Sequence, residues 1–90
     1  MDTGYVWDED KYEQVQKDHR VRFDEVVAVF EDENVLDAPD PQKNQGRWMV
    51  VGKTRQGRIL QVIYTDEDSP LLRIITAFEA SKEWKDEYVQ

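Results

Sequence analysis

Three runs in the second half of the chain, Arg47–Thr54, Arg58–Thr65 and Leu71–Phe78, are rich in Val, Ile, aromatic and other apolar residues and are separated by turn chemistry. Such side chains suit a pleated, half-buried surface, so each run predicts a strand. Short connections join them into an antiparallel meander. Thr54-Arg55-Gln56-Gly57 forms a tight link in which Gly57 takes a positive φ without a Cβ clash, and Asp66-Glu67-Asp68-Ser69-Pro70 forms an acidic loop.

Upstream the periodicity changes. After a short apolar start, Tyr5-Val6-Trp7, Asp8 can accept N–H groups from the next turn and begin a helix through roughly Asp18, with Glu9 and Asp10 suited to its N-terminus. Phe23, Val26, Val27 and Phe30 follow the i, i+3, i+4, i+7 spacing of a second helix packed on the sheet. Glu31-Asp32-Glu33-Asn34 ends it, Val35-Leu36 forms a short edge strand, and Pro39 with Pro41 marks a loop to Gly46. Ser81 is the N-cap of a last helix through about Tyr88, with Trp84 and Tyr88 on one face. The expected fold is α+β: a small antiparallel sheet of three to four strands, with two N-terminal helices and one C-terminal helix packed on it. Ninety residues bury enough surface for one core only, so residues 1–90 form a single domain.

Composition removes several chemistries. Without cysteine there is no disulfide framework, no thiolate nucleophile and no cysteine-based zinc site. The acidic clusters Asp8–Asp10, Glu31–Glu33 and Asp66–Asp68 lack the spacing of a calcium loop and read as solvated turns and helix starts, so no metal or cofactor is expected. An acidic N-terminus without an apolar leader, and no apolar run near roughly 18 residues, predict a cytoplasmic protein.

Net charge is −8, yet it is unevenly spread. Residues 1–40 hold 13 acids against four bases, residues 41–60 hold five bases and no acid, and residues 61–90 hold seven acids against three bases. This basic island would orient a polyanion towards itself; a solvated hairpin explains it equally. Within and around it, Arg47, Lys53, Arg58 and Arg73 are candidate phosphate holders, since a guanidinium offers paired donors and an ammonium a mobile charge. Arg73, flanked by Leu72 and Ile74, either holds phosphate or pairs with a carboxylate such as Glu25. His19 alone has an unperturbed pKa near neutrality, which makes it either an acid or base catalyst or a helix-end histidine donating to a carbonyl. Strand alternation can put Arg58 and Tyr64 on one face. Tyr64 and Tyr88 can stack on a base or donate a proton, whereas Trp7, Trp48, Phe23, Phe30 and Trp84 read as core.

A family pattern runs through these residues. Trp7, Asp8, Lys11, His19, Val21, Phe23 and Glu25 match its opening; Arg47, Trp48, Gly52, Gly57, Arg58, Leu60, Tyr64 and Thr65 match its middle; Arg73, Ile74, Ile75, Thr76, Ala77 and Tyr88 match its end. The chain thus resembles the BrnT family of type II toxin-antitoxin ribonucleases. The resemblance implies a RelE-like scaffold and metal-independent endoribonuclease action, in which a ribose 2′-OH attacks the adjacent phosphate, with neutralisation by a cognate DNA-binding, BrnA-like antitoxin. It implies His19, Arg73, Arg47 and Tyr64 as catalytic residues, and Lys53, Arg55, Arg58 and Tyr88 as RNA-binding residues. Val15 stands where the family usually has Asn, Asp18 where it has Lys, Arg20 where it has Gly, Phe78 where it has Arg, and Trp84 where it has Glu. The acidity of the chain and the changes at Asp18 and Phe78 support a second expectation, a catalytically attenuated relative that works as a protein-binding or regulatory module.

Overall fold

The computed structural model describes residues 4–89. Eight elements follow in order: β1 (Tyr5–Trp7), α1 (Glu9–His19), α2 (Phe23–Glu31), β2 (Leu36–Pro39), β3 (Arg47–Lys53), β4 (Ile59–Thr65), β5 (Leu72–Glu79) and α3 (Lys82–Tyr88). They build one five-stranded sheet of order β1-β5-β4-β3-β2. The expected meander β3-β4-β5 is present and antiparallel.

The expected sheet of three to four antiparallel strands is corrected at both edges. β2 reaches through Pro39, expected in a loop; it is an edge strand that bonds only β3, the place in a sheet where proline is tolerated. At the opposite edge, Tyr5–Trp7 runs parallel to β5, with Tyr5 beside Leu72 and Trp7 beside Ile74, so the sheet is mixed. Three residues show no alternation, and a parallel partner is supplied by the far end of the chain, so no local pattern marks β1 as a strand.

Asp8 caps α1 by accepting the Asp10 N–H at 3.0 Å. The helix stops at Arg20, which sits in the left-handed region at φ 54°, a conformation that favours glycine. α2 turns Val26 and Val29 fully inward, with Phe23, Val27 and Phe30 half-buried beside them. Its seat is Gly52 of β3, where a Cβ would stand 2.9 Å from both Val29 Cγ1 and the Val29 carbonyl oxygen. Glycine there sets the distance between helix and sheet.

Both sheet faces are covered, and for this reason β4 reads as a nearly continuous apolar run. Val50, Leu60, Val62, Ile74 and Ala77 pack against Val15, Val21, Val26 and Val29 on the α1–α2 side. Met49, Val51, Ile63 and Ala80 pack with Trp84 and Tyr88 of α3 on the other. Ile74 and Ala77 share a face although three residues separate them, because Ile63 pairs with Thr76 and Tyr64 with Ile74, leaving Ile75 as an extra residue in β5.

Asp32 fastens α2 to α3 and β3. Its carboxylate accepts the Tyr88 hydroxyl and the N–H groups of Asn34 at 3.0 Å and Lys53 at 2.8 Å. Burial pushes this carboxyl up, but those hydrogen bonds and the Lys53 charge outweigh it and hold the group below the ordinary carboxylate value. Burial and Asp32 together push the Tyr88 hydroxyl up to about 12. Near-buried Asp40 is also held low against its burial, by the Gln42 and Asn44 donors and the Arg47 charge.

Carboxyls that are more acidic folded than unfolded take up protons first in the unfolded chain, so their stabilisation is complete at neutral pH. It should be lost as pH falls below about 4. Thermal melts of wild type and Asp32→Asn against pH check this: the variant should melt lower at pH 7 and show the shallower acid loss, and parallel curves would refute the role of Asp32. Gly52→Ala should cost about 1–3 kcal/mol by forcing α2 off the sheet. A melting temperature equal to wild type would show that α2 has room to spare.

Candidate active site

β1 covers only the Leu72–Ile74 part of β5, and α1 lies beside the remainder. Between them is a shallow cleft of about 180 Å³ lined by Lys11, Gln14, Val15, Asp18, His19, Ile75 and Thr76. The helix residues recur at three- and four-residue spacing and so share one face of α1. His19 ends the helix, exposed, with its ring centroid 5.9 Å from that of Phe78. Among the described residues nothing hydrogen-bonds to its imidazole. The carbonyl-donating role allowed for His19 from sequence is not the one the side chain adopts.

The backbone around His19 is held by Arg58. Its Nη2 donates to the His19 carbonyl and its Nη1 to the Arg20 carbonyl, both at 2.8 Å, which satisfies the open C-terminal end of α1. The same guanidinium donates from Nε to Glu79 Oε1 at 3.4 Å and lies 3.6 Å from Glu25 Oε2. Glu25 in turn accepts the Arg22 N–H at 3.1 Å. Arg58 therefore faces the protein. Lysine 85 and Arg58 hydrogen bonds hold Glu79 below its ordinary value.

The other sequence candidates divide between two ends of the sheet. Arg47, Thr65 and Arg73 stand in one row across β3, β4 and β5, and therefore on one face. Arg73 pairs with Asp68 of the acidic loop, not with Glu25, which Arg58 occupies. Tyr64 points to the opposite face, edge-on to Phe30 with centroids 5.2 Å apart. Burial, then Asp37 and Asp66, push its hydroxyl up. The row holding Phe78, next to His19, contains Val51 and lies four residues along β3 from Arg47, or roughly 13 Å. His19 is thus separated from Arg47, Arg73 and Tyr64.

Lys53 and Arg58 instead stand at the His19 end, with Arg55 in the turn between them. Lys53 Nζ lies 5.6 Å from the centre of the Tyr88 ring, whose hydroxyl is given to Asp32. Arg55 is exposed beside a groove of about 560 Å³ that includes Phe23, Asp24, Val27 and Glu31. Trp48, expected in the core, is 48% exposed.

Sequence reasoning missed Lys11, Gln14 and Thr76 as site residues. A signal existed: Lys11 lies eight residues before His19, two turns along one helix face, roughly 12 Å. The structure also gathers the departures from the family pattern. Val15 and Asp18 line the cleft, Phe78 touches His19, and Arg20 follows it, whereas Trp84 packs on the α3 side of the sheet away from the cleft.

The family model described as the ribonuclease toxin BrnT of type II toxin-antitoxin systems matches residues 7–83. The fold is similar to the crystal structure of the Brucella abortus ribonuclease toxin BrnT, with a TM-score of 0.72 and 22% identity over 90% of this chain and 100% of that one. A search of curated proteins finds no match. On the breadth of the family match, the chain belongs to the BrnT ribonuclease toxins of type II toxin-antitoxin systems.

Proposed function

We propose that this toxin is a metal-independent endoribonuclease of RelE-like design, acting on cytoplasmic RNA through the α1–β5 cleft and silenced by a DNA-binding, BrnA-like antitoxin. Membership of a type II family itself implies an antitoxin partner. The observation that carries the site assignment is the exposed imidazole of His19, without hydrogen-bond partners among the described residues, in a cleft that Lys11 and Thr76 also line.

His19 withdraws the proton from a ribose 2′-OH, whose oxygen attacks the adjacent phosphorus. The bond from phosphorus to the 5′ oxygen breaks, leaving a 2′,3′-cyclic phosphate and a 5′-hydroxyl. Lys11 supplies charge to the phosphorane and the proton to the departing oxygen. Lys53 and Arg55 guide the strand at this end of the sheet, with Arg58 and Tyr88 setting the frame beneath them. Arg47 and Arg73, remote from His19, hold phosphates away from the reacting bond. Tyr64, at the far end of the sheet and packed against Phe30, has no part in the chemistry.

Asp18 brings negative charge into the cleft, and Phe78 an apolar ring where the family pattern has a guanidinium, so the enzyme should be slow. Cleavage of labelled RNA in EDTA tests the reading. His19→Ala should lower the rate about 10²–10⁴-fold. Arg73→Ala should raise KM more than it lowers kcat. A folded wild type that cuts nothing would sink the enzyme and leave a protein-binding module. Asp18→Lys with Phe78→Arg should raise the rate at least about tenfold by restoring cations to the cleft; an unchanged rate would place the reaction elsewhere.

A further inference from the structure

Trp48 is the large aromatic that this small core leaves half outside. It stands in register between Pro39 of β2 and Tyr64 of β4, so the three share the α1–α2 side of the sheet, where Phe30 of α2 reaches Tyr64 and Trp48 stays half exposed. With Asp37 and Ala38 they line a cleft of about 450 Å³. β2 is the last strand of the sheet, and its outer edge has no strand partner among the described residues.

An exposed Trp beside a Tyr is a platform on which a nucleobase can stack, but its electrostatics oppose that use. Asp37 lies in the cleft, and both Asp37 and Asp66 act on the Tyr64 hydroxyl. Phosphates arriving there would meet carboxylates, while Arg47, the adjacent base in sequence, opens on the other sheet face. A second copy of this chain is disfavoured too, because each carries a net charge of −8 and would present the same acids. A basic protein segment satisfies every feature. The methylene stem of an Arg or Lys covers Trp48, its cation lies over the ring and reaches Asp37, and its backbone can add to the free edge of β2.

We propose that the Trp48–Pro39–Tyr64 cleft, with Asp37 in its lining, is a docking surface for a basic segment of the antitoxin. The assignment rests on the toxin reading for the partner's identity, but uses a surface distinct from the α1–β5 cleft. Neither Trp48 nor Asp37 takes part in the chemistry assigned above.

The test measures binding of the purified product of the antitoxin gene adjacent to this one, by titration calorimetry, to wild type, Trp48→Ala and Asp37→Lys. RNA cleavage by each protein is followed in parallel. Both substitutions should weaken antitoxin binding at least about tenfold while cleavage stays at the wild-type rate. Asp37 is exposed on an edge strand, so its reversal keeps the test intact even if Trp48→Ala fails to fold. Unchanged affinity in the folded variants overturns the assignment, as does a wild type that binds no antitoxin. Loss of RNA cleavage with antitoxin binding intact would make the platform an RNA site instead. A wild-type dimer that Trp48→Ala dissolves, with antitoxin affinity unmoved, would make it a self-association surface. If wild type cuts no RNA yet binds antitoxin and both variants lose that binding, the docking surface stands and the enzymatic reading falls.

Discussion

One guanidinium joins the parts of this small domain that have least reason to stay together. Arg58 immediately precedes β4 and donates to the last carbonyls of α1, while Glu25 of α2 and Glu79 of β5 balance its charge. α1 turns only Val15 fully inward, so apolar packing alone holds its C-terminal end weakly. A cation at a helix C-terminus meets unsatisfied carbonyls and the negative end of the helix dipole together. Removing it would also take from Glu25, 8% exposed, its nearer guanidinium at 3.6 Å. The backbone of His19 and Arg20 is thereby set relative to the sheet before any side chain in the α1–β5 cleft acts.

Charge follows a similar division. Most of the basic residues between positions 41 and 60 are drawn into the protein or into carboxylate surroundings: Arg58 by Glu25 and Glu79, Lys53 by Tyr88 and Asp32, Arg47 towards Asp40. The strip that looks continuous in sequence is divided in space, with Lys53, Arg55 and Arg58 at one end of the sheet, where Arg58 alone reaches His19, and Arg47 at the other. A chain of net charge −8 presents its polyanion-facing surface as a small local exception, and offers acid and aromatic groups elsewhere to a partner of opposite charge.

Legibility depended on whether the signal was local. The meander β3-β4-β5, the Asp8 and Ser81 caps, the α2 stripe and the Gly57 turn are each written in a few neighbouring residues, and each is found. β1 was not legible, because its pairing with β5 joins opposite ends of the chain. Trp48 was expected inside since large aromatics usually are; whether a helix covers a given strand end depends on the length and placement of α1 and α2, which residue type does not report. Lys11 and Thr76 passed without notice as site residues because what unites them with His19 is one helix face meeting the uncovered edge of β5.

The sequence by itself determined an α+β domain with a β-meander, a cysteine-free core and membership in a ribonuclease-toxin family, because periodicity, turn residues and spaced motifs all act over short range. Only the tertiary structure decided which candidate residues meet. His19 shares a cleft with Lys11 and not with Arg73; Arg58 becomes a clamp; Arg73 answers to Asp68; and Trp48 faces outward in a cleft with Asp37. Strand register and helix placement set these neighbours, and both are fixed by burying apolar surface across the whole chain, a global condition that no segment carries alone.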